Sequence, residues 1–444
     1  MTSNLPEIPL AEIVTIKGGK RLPAGKNLQS LPSKHPYIRI RDVGQRSLPR
    51  VGIEYVPDDV FPLISRYIVQ KNDVVLSIVG TIGALSIVDG FYDQASLTEN
   101  CVKLTGLDYH DALYIYYYLS SSIGQQEISQ GTVGAVQPKL PIYNIEKIKV
   151  RWPANKDKRQ IIASILGRLD DKIDLNCGIN QTLEAMAQAI FKSWFIDFDP
   201  VKAKIAAIQE GYDPLRAAMS AISGKPDAKL DALPSEHFDQ LAATAALFPD
   251  EMEDSKLGEI PRGWEVQRVG KMLELAYGKA LKSTDRQEGV VPVYGSGGIT
   301  GYHNTALVSN GSIVVGRKGT VGSLHWEDEP FFPIDTTYYA RPLTAPLTYC
   351  YYAMQTLGLE KMNTDAAVPG LNRENVYRLE LVRPDSPVLQ KFDSTVLTLR
   401  KAIRTNSDSN KALASLRDTL LPNLLSGELS VTPTTELSSV MGGK

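Results

Sequence analysis

The chain has 444 residues, too many for one core of ordinary size, and its 43% apolar and 22% charged residues exclude a disordered or fibrous protein. No apolar run is long enough to cross a bilayer, and the sequence shows no secretory signal and no metal-ligand or disulfide spacing among its three cysteines. We therefore expect a cytoplasmic protein of two or more domains with reduced thiols.

The net charge of −2 conceals a strongly basic segment. From Lys17 to Arg50 the chain carries nine basic residues and one acid, Asp42, whereas the stretch from Lys204 to Ile260 carries eleven acids and five bases. Binding to a polyanion depends on the local field rather than on the total charge. The basic segment is therefore compatible with a nucleic-acid partner, although a solvated surface would have the same composition.

Short β-branched runs broken by glycine and proline predict strands and tight turns in the first third of the chain, namely "YIRIRDV", "DVVLSIVG" and "CVKLTG". The run "VGTIGAL" at 79–85 is nearly repeated by "KGTVGSL" at 318–324. Two glycines three residues apart after a buried strand are typical of a hairpin turn with positive φ. We predict such turns at Gly80 and Gly83 and at Gly319 and Gly322. Close approach of the loop to a ligand is a second interpretation.

A heptad pattern follows, in which seam positions alternate by four and three from Ile162 to Trp194. It predicts a helix from about Lys156 to Phe195, roughly 60 Å long at 1.5 Å per residue. A seam of the same phase runs from Phe392 to Leu424. Matched seams of this length predict two helices that pair as a coiled coil.

Both seams carry paired asparagines at their middle, which are Asn176, Asn180, Asn406 and Asn410. Polar residues at seam positions cost stability and fix register and partner. Two other interpretations remain open. Each helix could pack on its own domain, or the helices could break at the weak helix-forming runs "LNCGIN" and "TNSDSN".

Further segments recur in the same order along the chain. "LYIYYYL" is echoed by "TYCYYAM", and strands that end at Pro153 and Pro384 each precede a helical pattern. The offset between matching segments shrinks gradually, as a few deletions in the second copy would cause. The chain is therefore a tandem duplication of a unit of roughly 190 residues, whose segments 20–50 and 283–304 have diverged.

The chain lacks the motifs of common enzyme classes. "GRKGTVGS" has the glycines of a Walker A loop but not its ending, no His-Glu-x-x-His occurs, and the five histidines form no cluster. No convergent set of acid, base and nucleophile is evident, although a site in the "VYGSGG" loop stays open. A binding protein is favoured over a catalyst.

Several segments resemble one known family. The run from Arg159 to Lys204, the central "LFPDEMEDSKLGEIPRGWEV" and the closing "LRDTLLPNLLSGEL" closely resemble type I restriction-modification specificity subunits. "YIRIRDVG" and "PVYGSGGITGYHN" look like elements of that family's target recognition domains. The resemblance covers nearly the whole chain.

The resemblance implies an α+β fold. A mixed α/β target recognition domain followed by a long helix is duplicated in tandem, and the two helices pair as an antiparallel coiled coil with pseudo-two-fold symmetry. The expected domains are a first target recognition domain at 1–153, a first long helix at 154–198, a central acidic linker, partly helical, at 199–258, a second target recognition domain at 259–384, a second long helix at 385–430 and a flexible tail at 431–444.

The resemblance also implies a DNA-binding subunit without catalysis of its own. Its two domains would read the halves of a bipartite, asymmetric target, held apart by the coiled coil, and direct adenine-N6 methylation and ATP-dependent cleavage by partners. The expected partners are double-stranded DNA, two methylation subunits and a restriction subunit, with no membrane; S-adenosylmethionine, ATP and Mg would bind to the partner subunits and no cofactor to this chain. The alternatives are a subunit of a modification-only or type II-like restriction-methylation enzyme, and a non-DNA repeat scaffold.

The candidate DNA contacts are mostly basic side chains, which lie in the loop from Lys17 to Arg50 and in the second domain. Arg39, Arg41 and Arg46 are candidates for guanine edges or phosphates. Because Arg39 and Arg41 alternate on a predicted strand, one of them could instead pair with an acid such as Asp42. The other candidates are Lys17, Lys20, Arg21 and Lys26 in the first domain and Lys279, Lys282, Arg286, Tyr294, His303, Arg317 and Lys318 in the second.

The apolar run "IFKSWF" predicts a docking surface. Ile190, Phe191, Trp194 and Phe195 exceed what one seam needs, so they would contact the methylation subunits or the central linker. Burial against the chain's own domain fits equally well. The acidic stretch from Asp227 to Glu259 would meet a basic partner surface or form a flexible connection.

Overall fold

The structure, a computed structural model, describes residues 5–362 and 370–429. The chain divides into two compact units, the first comprising Met1–Asn176 with Ser409–Lys444 and the second comprising Cys177–Asp408. The tail predicted at 431–444 lies outside the described residues. Each unit is described by itself below.

The first unit contains short strands arranged in three sheets. The strands are β1 (Glu7–Pro9), β2 (Thr15–Gly18), β3 (Pro36–Ile38), β4 (Glu54–Tyr55), β5 (Val74–Ser77), β6 (Leu85–Ile87), β7 (Ser96–Leu97), β8 (Cys101–Thr105) and β9 (Lys149–Arg151). An antiparallel sheet has the order β2-β8-β5-β6, and β1 pairs with β9. In the third sheet β3 lies between antiparallel β4 and parallel β7.

The helices of the first unit are α1 (Phe61–Ile64), α2 (Tyr109–Ser120), α3 (Ser122–Gly131), α4 (Ile142–Ile145) and the first part of α5 (Lys156–Phe195). Of these, α2 to α5 share a core with the four-stranded sheet, whereas α1 packs on Tyr37 and Val56. β5 is buried along its whole length, and α2 is capped by Asp108, whose carboxylate accepts the N–H of Asp111. The core between them includes Leu76, Leu113 and Leu166.

The second unit starts from the remainder of α5. Its helices are α6 (Asp199–Glu210), α7 (Pro214–Ser223), α8 (Ser235–Ala246), α9 (Val269–Met272), α10 (Leu347–Gln355), α11 (Arg373–Arg378) and the first part of α12 (Ser386–Ser426). Its strands are β10 (Met252–Ser255), β11 (Gly258–Pro261), β12 (Glu265–Arg268), β13 (Leu273–Tyr277), β14 (Val291–Gly295), β15 (Gly298–His303), β16 (Ser312–Gly316), β17 (Leu324–Glu327), β18 (Phe332–Pro333), β19 (Thr337–Pro342) and β20 (Glu380–Arg383).

The sheets of the second unit repeat those of the first. The order β13-β19-β16-β17 matches β2-β8-β5-β6, and the pair β12-β20 matches β1-β9. β14 lies between antiparallel β15 and parallel β18, as β3 lies between β4 and β7. The duplication inferred from the sequence is confirmed at the level of strand order and direction.

The repeated heptapeptides form hairpin turns, as predicted. The first joins β5 to β6 and the second joins β16 to β17. The backbone φ angles are 78° at Gly80, 89° at Gly83, 83° at Gly319 and 74° at Gly322. These are left-handed conformations that a residue with a Cβ adopts only at a cost, which explains why both copies use glycine.

Both long helices are continuous. α5 spans 40 residues with the bounds predicted from the heptads, and α12 spans 41. The asparagine runs therefore do not break them. In the first unit Asp170 contacts Arg417 and Asn176 contacts Asn410, while in the second Asn180 contacts Asn406. In these contacts the residue numbers increase along α5 while those of their partners decrease along α12. The two helices therefore run antiparallel.

The seam asparagines bond to each other across the pair. Asn176 Nδ2 donates to Asn410 Oδ1 at 2.8 Å, and Asn406 Nδ2 donates to Asn180 Oδ1 at 2.9 Å. Asn180 also donates to the carbonyl oxygen of Ile403 at 3.3 Å. Seam residues nearer the helix ends pack instead in the hydrophobic core of their own unit, as Leu166 does in the first unit. Pairing with the other helix and packing on the globular part thus coexist.

The acidic segment between the copies is folded. Helices α7 and α8 enclose a small core of Ala218, Met219, Leu230 and Ala245, and β10 and β11 form a hairpin. Lys204 of α6 is buried, and its ammonium group donates to the carbonyl oxygen of Phe248 at 2.5 Å. Burial lowers the pKa of Lys204. The segment packs as part of the second unit rather than serving as a bare connection.

Candidate nucleic-acid interface

Three of the predicted cations of the first unit are exposed and unpaired. Lys17 lies on β2, and Lys20 and Arg21 follow it. None of the three forms an ion pair with a described residue, and Lys20 Nζ lies 5.8 Å from the centre of the Tyr67 ring. Lys26 differs, because its ammonium group contacts Asp59 at 2.9 Å. The unpaired three form a local positive surface beside the edge strand β2.

Arg39 and Arg41 share a carboxylate. Arg39 Nε lies 2.8 Å and an Arg41 terminal nitrogen 2.7 Å from the same oxygen of Glu54. The arginine side chains are 37% and 57% exposed, against 23% for Glu54. The acid therefore holds both guanidinium groups in place while leaving much of their surface open to a ligand.

The prediction that one strand carries both Arg39 and Arg41 is wrong. β3 ends at Ile38, and residues 40–42 form a turn of 3₁₀ helix. The cause is Asp42, whose carboxylate accepts the N–H of Arg39 at 2.8 Å and bends the chain. The alternative that one arginine pairs with an acid is supported, but Glu54 is the principal partner.

Arg46 faces the protein rather than solvent. Its side chain is 13% exposed, and one terminal nitrogen lies 2.6 Å from Asp171 and 2.8 Å from Asp174 on α5. The other terminal nitrogen donates to the carbonyl oxygen of Gly167 at 3.2 Å. The prediction that Arg46 contacts DNA is therefore corrected, because its guanidinium group attaches the basic loop to the long helix.

A Gly–Lys pair occupies the same place in both units. Gly19 and Gly278 each follow the edge strand of the four-stranded sheet. A Cβ on Gly19 would lie 2.0 Å from the carbonyl oxygen of Thr98, and a Cβ on Gly278 would lie 2.1 Å from that of Ile334. Only glycine permits this approach. The pair brings an exposed lysine, Lys20 or Lys279, to the same position of each fold.

Backbone hydrogen bonds hold both lysines at that position. The N–H of Lys20 donates to the carbonyl oxygen of Leu97 at 2.7 Å, and that of Lys279 to Pro333 at 3.1 Å. Leu97 and Pro333 are the second residues of the matching strands β7 and β18. Lys279, like Lys20, has no ion pair with a described residue. Sequence reasoning named both lysines but missed that they are equivalent.

In the second unit the guanidinium groups are held by aromatic rings. Arg317 lies 5.2 Å from the ring centre of Tyr277, and Arg373 lies 5.1 Å from the same ring. A terminal nitrogen of Arg317 also donates to the carbonyl oxygen of Asp335 at 3.0 Å. Stacking orients the guanidinium while leaving its edge free. Lys282 and Lys318 are exposed and form no ion pair within the described ranges.

The other candidates of the second unit brace their own hairpin. Arg286 donates to the carbonyl oxygen of Thr300 at 2.7 Å, and His303 Nδ1 accepts the N–H of Gln287 at 3.0 Å. Both remain at the surface of the β14–β15 hairpin. These bonds explain how a loop rich in glycine keeps one conformation.

Tyr294 is a buried core residue. Its side chain packs on Phe331, and its hydroxyl donates to Glu327 at 2.8 Å. Burial and this hydrogen bond raise the pKa of Tyr294. The prediction that it contacts DNA is corrected, because both its ring and its hydroxyl are used within the fold.

The predicted docking surface is also buried. Phe191, Trp194 and Phe195 are each less than 5% exposed, and Ile190 packs against the same cluster. The Trp194 ring lies 5.0 Å from Phe248 of the acidic segment. Of the interpretations offered, contact with the linker and burial in the chain's own domain agree with the structure, and a free surface for a partner does not.

Gly263 and Trp264, from the central run "LFPDEMEDSKLGEIPRGWEV", complete this cluster. Gly263 has a φ of 81°, and Trp264 packs on Phe195 and Phe198 with ring centres 6.0 Å and 5.8 Å apart. The turn therefore delivers the indole to the end of α5. The concentration of aromatic residues at 191–198 together with a second tryptophan after a glycine turn was the signal available in the sequence.

Neither a metal centre nor a membrane span is found in the part of the chain that the structure describes. There, no group of three or more His, Cys, Asp or Glu residues could hold a metal ion. In the same residues no helix combines the length and apolar character needed to cross a membrane.

Comparison with known proteins identifies similar chains. The family model described as "Type I restriction modification DNA specificity domain" matches residues 3–185 and 261–402, more than half of the chain. The chain is 30% identical over 328 residues to the type I restriction enzyme HindI specificity subunit of Haemophilus influenzae, covering 66% of this chain and 71% of that protein. It is 22% identical over 424 residues to the MjaIX specificity subunit of Methanocaldococcus jannaschii, covering 90% and 85%.

One solved structure has a similar fold. The crystal structure of a type I restriction-modification S subunit from M. genitalium matches with a TM-score of 0.53 at 18% identity, covering 97% of each chain. At 18% sequence identity, this similarity supports a shared fold and nothing further.

Proposed function

The chain belongs to the family of type I restriction-modification DNA specificity subunits, and on that premise we propose that its two units each read one half of a bipartite, asymmetric DNA target. The observation that carries the proposal is the matched pair of units. They share strand order and direction, and each holds an unpaired lysine at the same place of the fold. The loops that follow these lysines differ in sequence, and the two units hold their arginines in different ways.

Base reading in the first unit is assigned to Arg39 and Arg41. Their shared contact with Glu54 orients two guanidinium groups, which can each donate two hydrogen bonds to a guanine edge. Lys17, Lys20 and Arg21 are assigned to phosphates, because an exposed ammonium or guanidinium group with no acid beside it is suited to a diffuse negative charge.

In the second unit Arg317 is assigned to bases, and Lys279, Lys282 and Lys318 to phosphates. The guanidinium of Arg317 is held by the Tyr277 ring and by one backbone carbonyl, so its free edge has a defined direction. Arg286 and His303 support the separate β14–β15 hairpin.

The helix pair is proposed to set the spacer between the two half-sites. Support comes from the unbroken α5 and α12 and from their bonded asparagines, which oppose slippage of one helix along the other. A spacer that cannot slip fixes how far apart along the duplex two readers can dock.

Family membership implies a complex with DNA and with methylation subunits. We propose that two methylation subunits bind S-adenosylmethionine and methylate adenine at N6, and that a restriction subunit with ATP and Mg cleaves the DNA. This chain supplies target selection and no catalysis. In the alternative of a modification-only complex, the restriction subunit would be absent, and this chain would still select the target for the methylation subunits.

Expression with the neighbouring methylation subunit tests the proposal. The two proteins are produced in a host free of DNA methylation, the complex is verified by size-exclusion chromatography, and N6-methyladenine is mapped by direct sequencing. A single gapped, asymmetric motif methylated once on each strand is expected.

Two results would contradict the proposal. A short continuous motif would mean that one unit is idle in recognition. Absence of methylation from an intact complex would favour the scaffold alternative, and titration of a labelled duplex at increasing salt would then show no salt-dependent binding.

A further inference from the structure

One buried carboxylate in the first unit joins three helices. Asp170 of α5 is 6% exposed; it accepts a hydrogen bond from the Tyr117 hydroxyl of α2 at 2.6 Å and contacts Arg417 of α12 at 2.7 Å. Burial, followed by the charge of Asp170, raises the pKa of Tyr117, so this hydroxyl keeps its proton and donates. The globular part, its own helix and the opposite helix thus meet at a single group.

The second unit has a counterpart built from the matching tyrosine. Tyr352 of α10 occupies the repeat position of Tyr117, and its hydroxyl donates to Glu184 of α5 at 3.3 Å. Arg400 of α12 lies 3.6 Å from Glu184. Its guanidinium group also stacks on Trp326 at 4.2 Å. The same three kinds of element therefore meet at a tyrosine, an acid and an arginine.

The charges are reversed between the repeats. Leu169 and Leu399 occupy the same repeat position, so Asp170 and Arg400, which follow them, are counterparts of opposite charge. As a result both acids, Asp170 and Glu184, lie on α5 and both arginines lie on α12. The two helices arose by duplication, but at these two places their charges are now opposite. The charges match only when α5 and α12 pair as observed.

We propose that these two Tyr–acid–Arg junctions fix the axial position of each recognition unit on the helix pair, and so determine the spacer length that the complex accepts. This inference rests on the proposed function. Sliding the helices by one turn, about 5.4 Å, would separate each arginine from its acid and move a reader by more than one base-pair step of about 3.4 Å. Asp170 and Arg400 are the buried charges of the two junctions, and a buried charge that loses a partner is strongly unfavourable, so other positions are disfavoured.

The experiment uses the full chain in complex with its methylation subunit. Once the wild-type motif is mapped, plasmids carry both half-sites with the native spacer and with spacers one or two base pairs longer or shorter. N6-methyladenine is measured at each. The wild-type complex is expected to methylate the native spacer much faster than the altered spacers, and absence of any gapped motif would count against the proposed function rather than against the junctions.

Asp170→Asn is expected to reduce the preference for the native spacer over its one-base-pair neighbours by about tenfold, because it removes the ion pair that joins α5 to Arg417 and leaves Arg417 only its neighbour Asp418. Glu184→Gln is expected to have a smaller effect, since its contacts are longer. Exchange of the charges, Asp170→Arg with Arg417→Asp, should restore part of the preference lost in either single variant. Asp157→Asn, an acid-to-amide change at an exposed site of α5, is the matched control and should leave the preference unchanged.

The proposal is overturned if Asp170→Asn lowers methylation equally at every spacer, which is what general destabilisation would produce. If that variant fails to assemble, Tyr117→Phe removes only one hydroxyl. An intact Tyr117→Phe complex with wild-type spacer preference would overturn the proposal, whereas methylation of neighbouring spacers would support it.

Discussion

The two units have the same strand order but hold their arginines by different means. In the first, Glu54 contacts both Arg39 and Arg41, whereas in the second the ring of Tyr277 lies between Arg317 and Arg373. A carboxylate orients a guanidinium group by charge, and a ring orients it by stacking. The two units therefore share the scaffold, whose packing constrains its residues, but differ in the groups that orient their arginines.

Changes to the scaffold should reduce stability and leave the sequence that is read unchanged. Trp194→Ala removes a ring packed on Phe248 and Phe392 and should destabilise the second unit by about 3–5 kcal/mol. The thermal midpoint of the purified complex measures the loss. Ile196→Ala, at a side chain 45% exposed directly after the end of α5, is the control and should cost far less. Equal effects would mean that the aromatic cluster is not packed as described.

Detaching a loop from the scaffold should act on one unit only. Arg46→Ala leaves Asp171 and Asp174 without their cation and should cost about 1–3 kcal/mol, because the lost group is mostly buried. We expect weaker methylation that arises from poorer binding to one half-site, measured with duplexes that carry one half-site each. Arg50→Ala, whose side chain is 52% exposed beside Asp89, should change binding little. If Arg50→Ala has the larger effect, the attachment assigned to Arg46 is wrong.

The matched lysines should contribute equally, whatever the loop beside them. Lys20→Ala and Lys279→Ala are each expected to weaken DNA binding about tenfold and to lower the slope of log K against log salt by about 1, since each removes one phosphate contact. Titrations of a labelled duplex at several salt concentrations provide both numbers. Lys172→Ala, an exposed lysine of α5, carries the same change of charge as a control. A slope that stays at the wild-type value would remove these lysines from the interface.

The elements predicted correctly from the sequence are those marked by a short local pattern of residues. Heptads gave the bounds of α5, and paired glycines gave both hairpin turns, because these patterns depend on local geometry alone. The sequence did not predict the end of β3, where the side chain of Asp42 closes a turn that alternation of apolar residues does not register. Burial of "IFKSWF" depends on Phe248 and Trp264, far along the chain, so composition could not distinguish a core from a docking surface.

The candidate site was predicted in part. The sequence predicted exposed lysines as DNA contacts, and this stays a prediction; the equivalence of Lys20 and Lys279 rests on backbone bonds to Leu97 and Pro333, which composition and periodicity do not reveal. The internal partners of Arg46 and Tyr294 are likewise set by tertiary packing.

The most direct test of two independent readers is the methylation motif of Arg41→Ala, mapped beside that of the wild-type complex. We predict that specificity is relaxed within one half-site, while the other half-site and the spacer stay as in the wild type. Uniform weakening over all sequences would make Arg41 a phosphate contact. Relaxation in both half-sites at once would contradict the account, because it would mean that the two units do not read DNA separately.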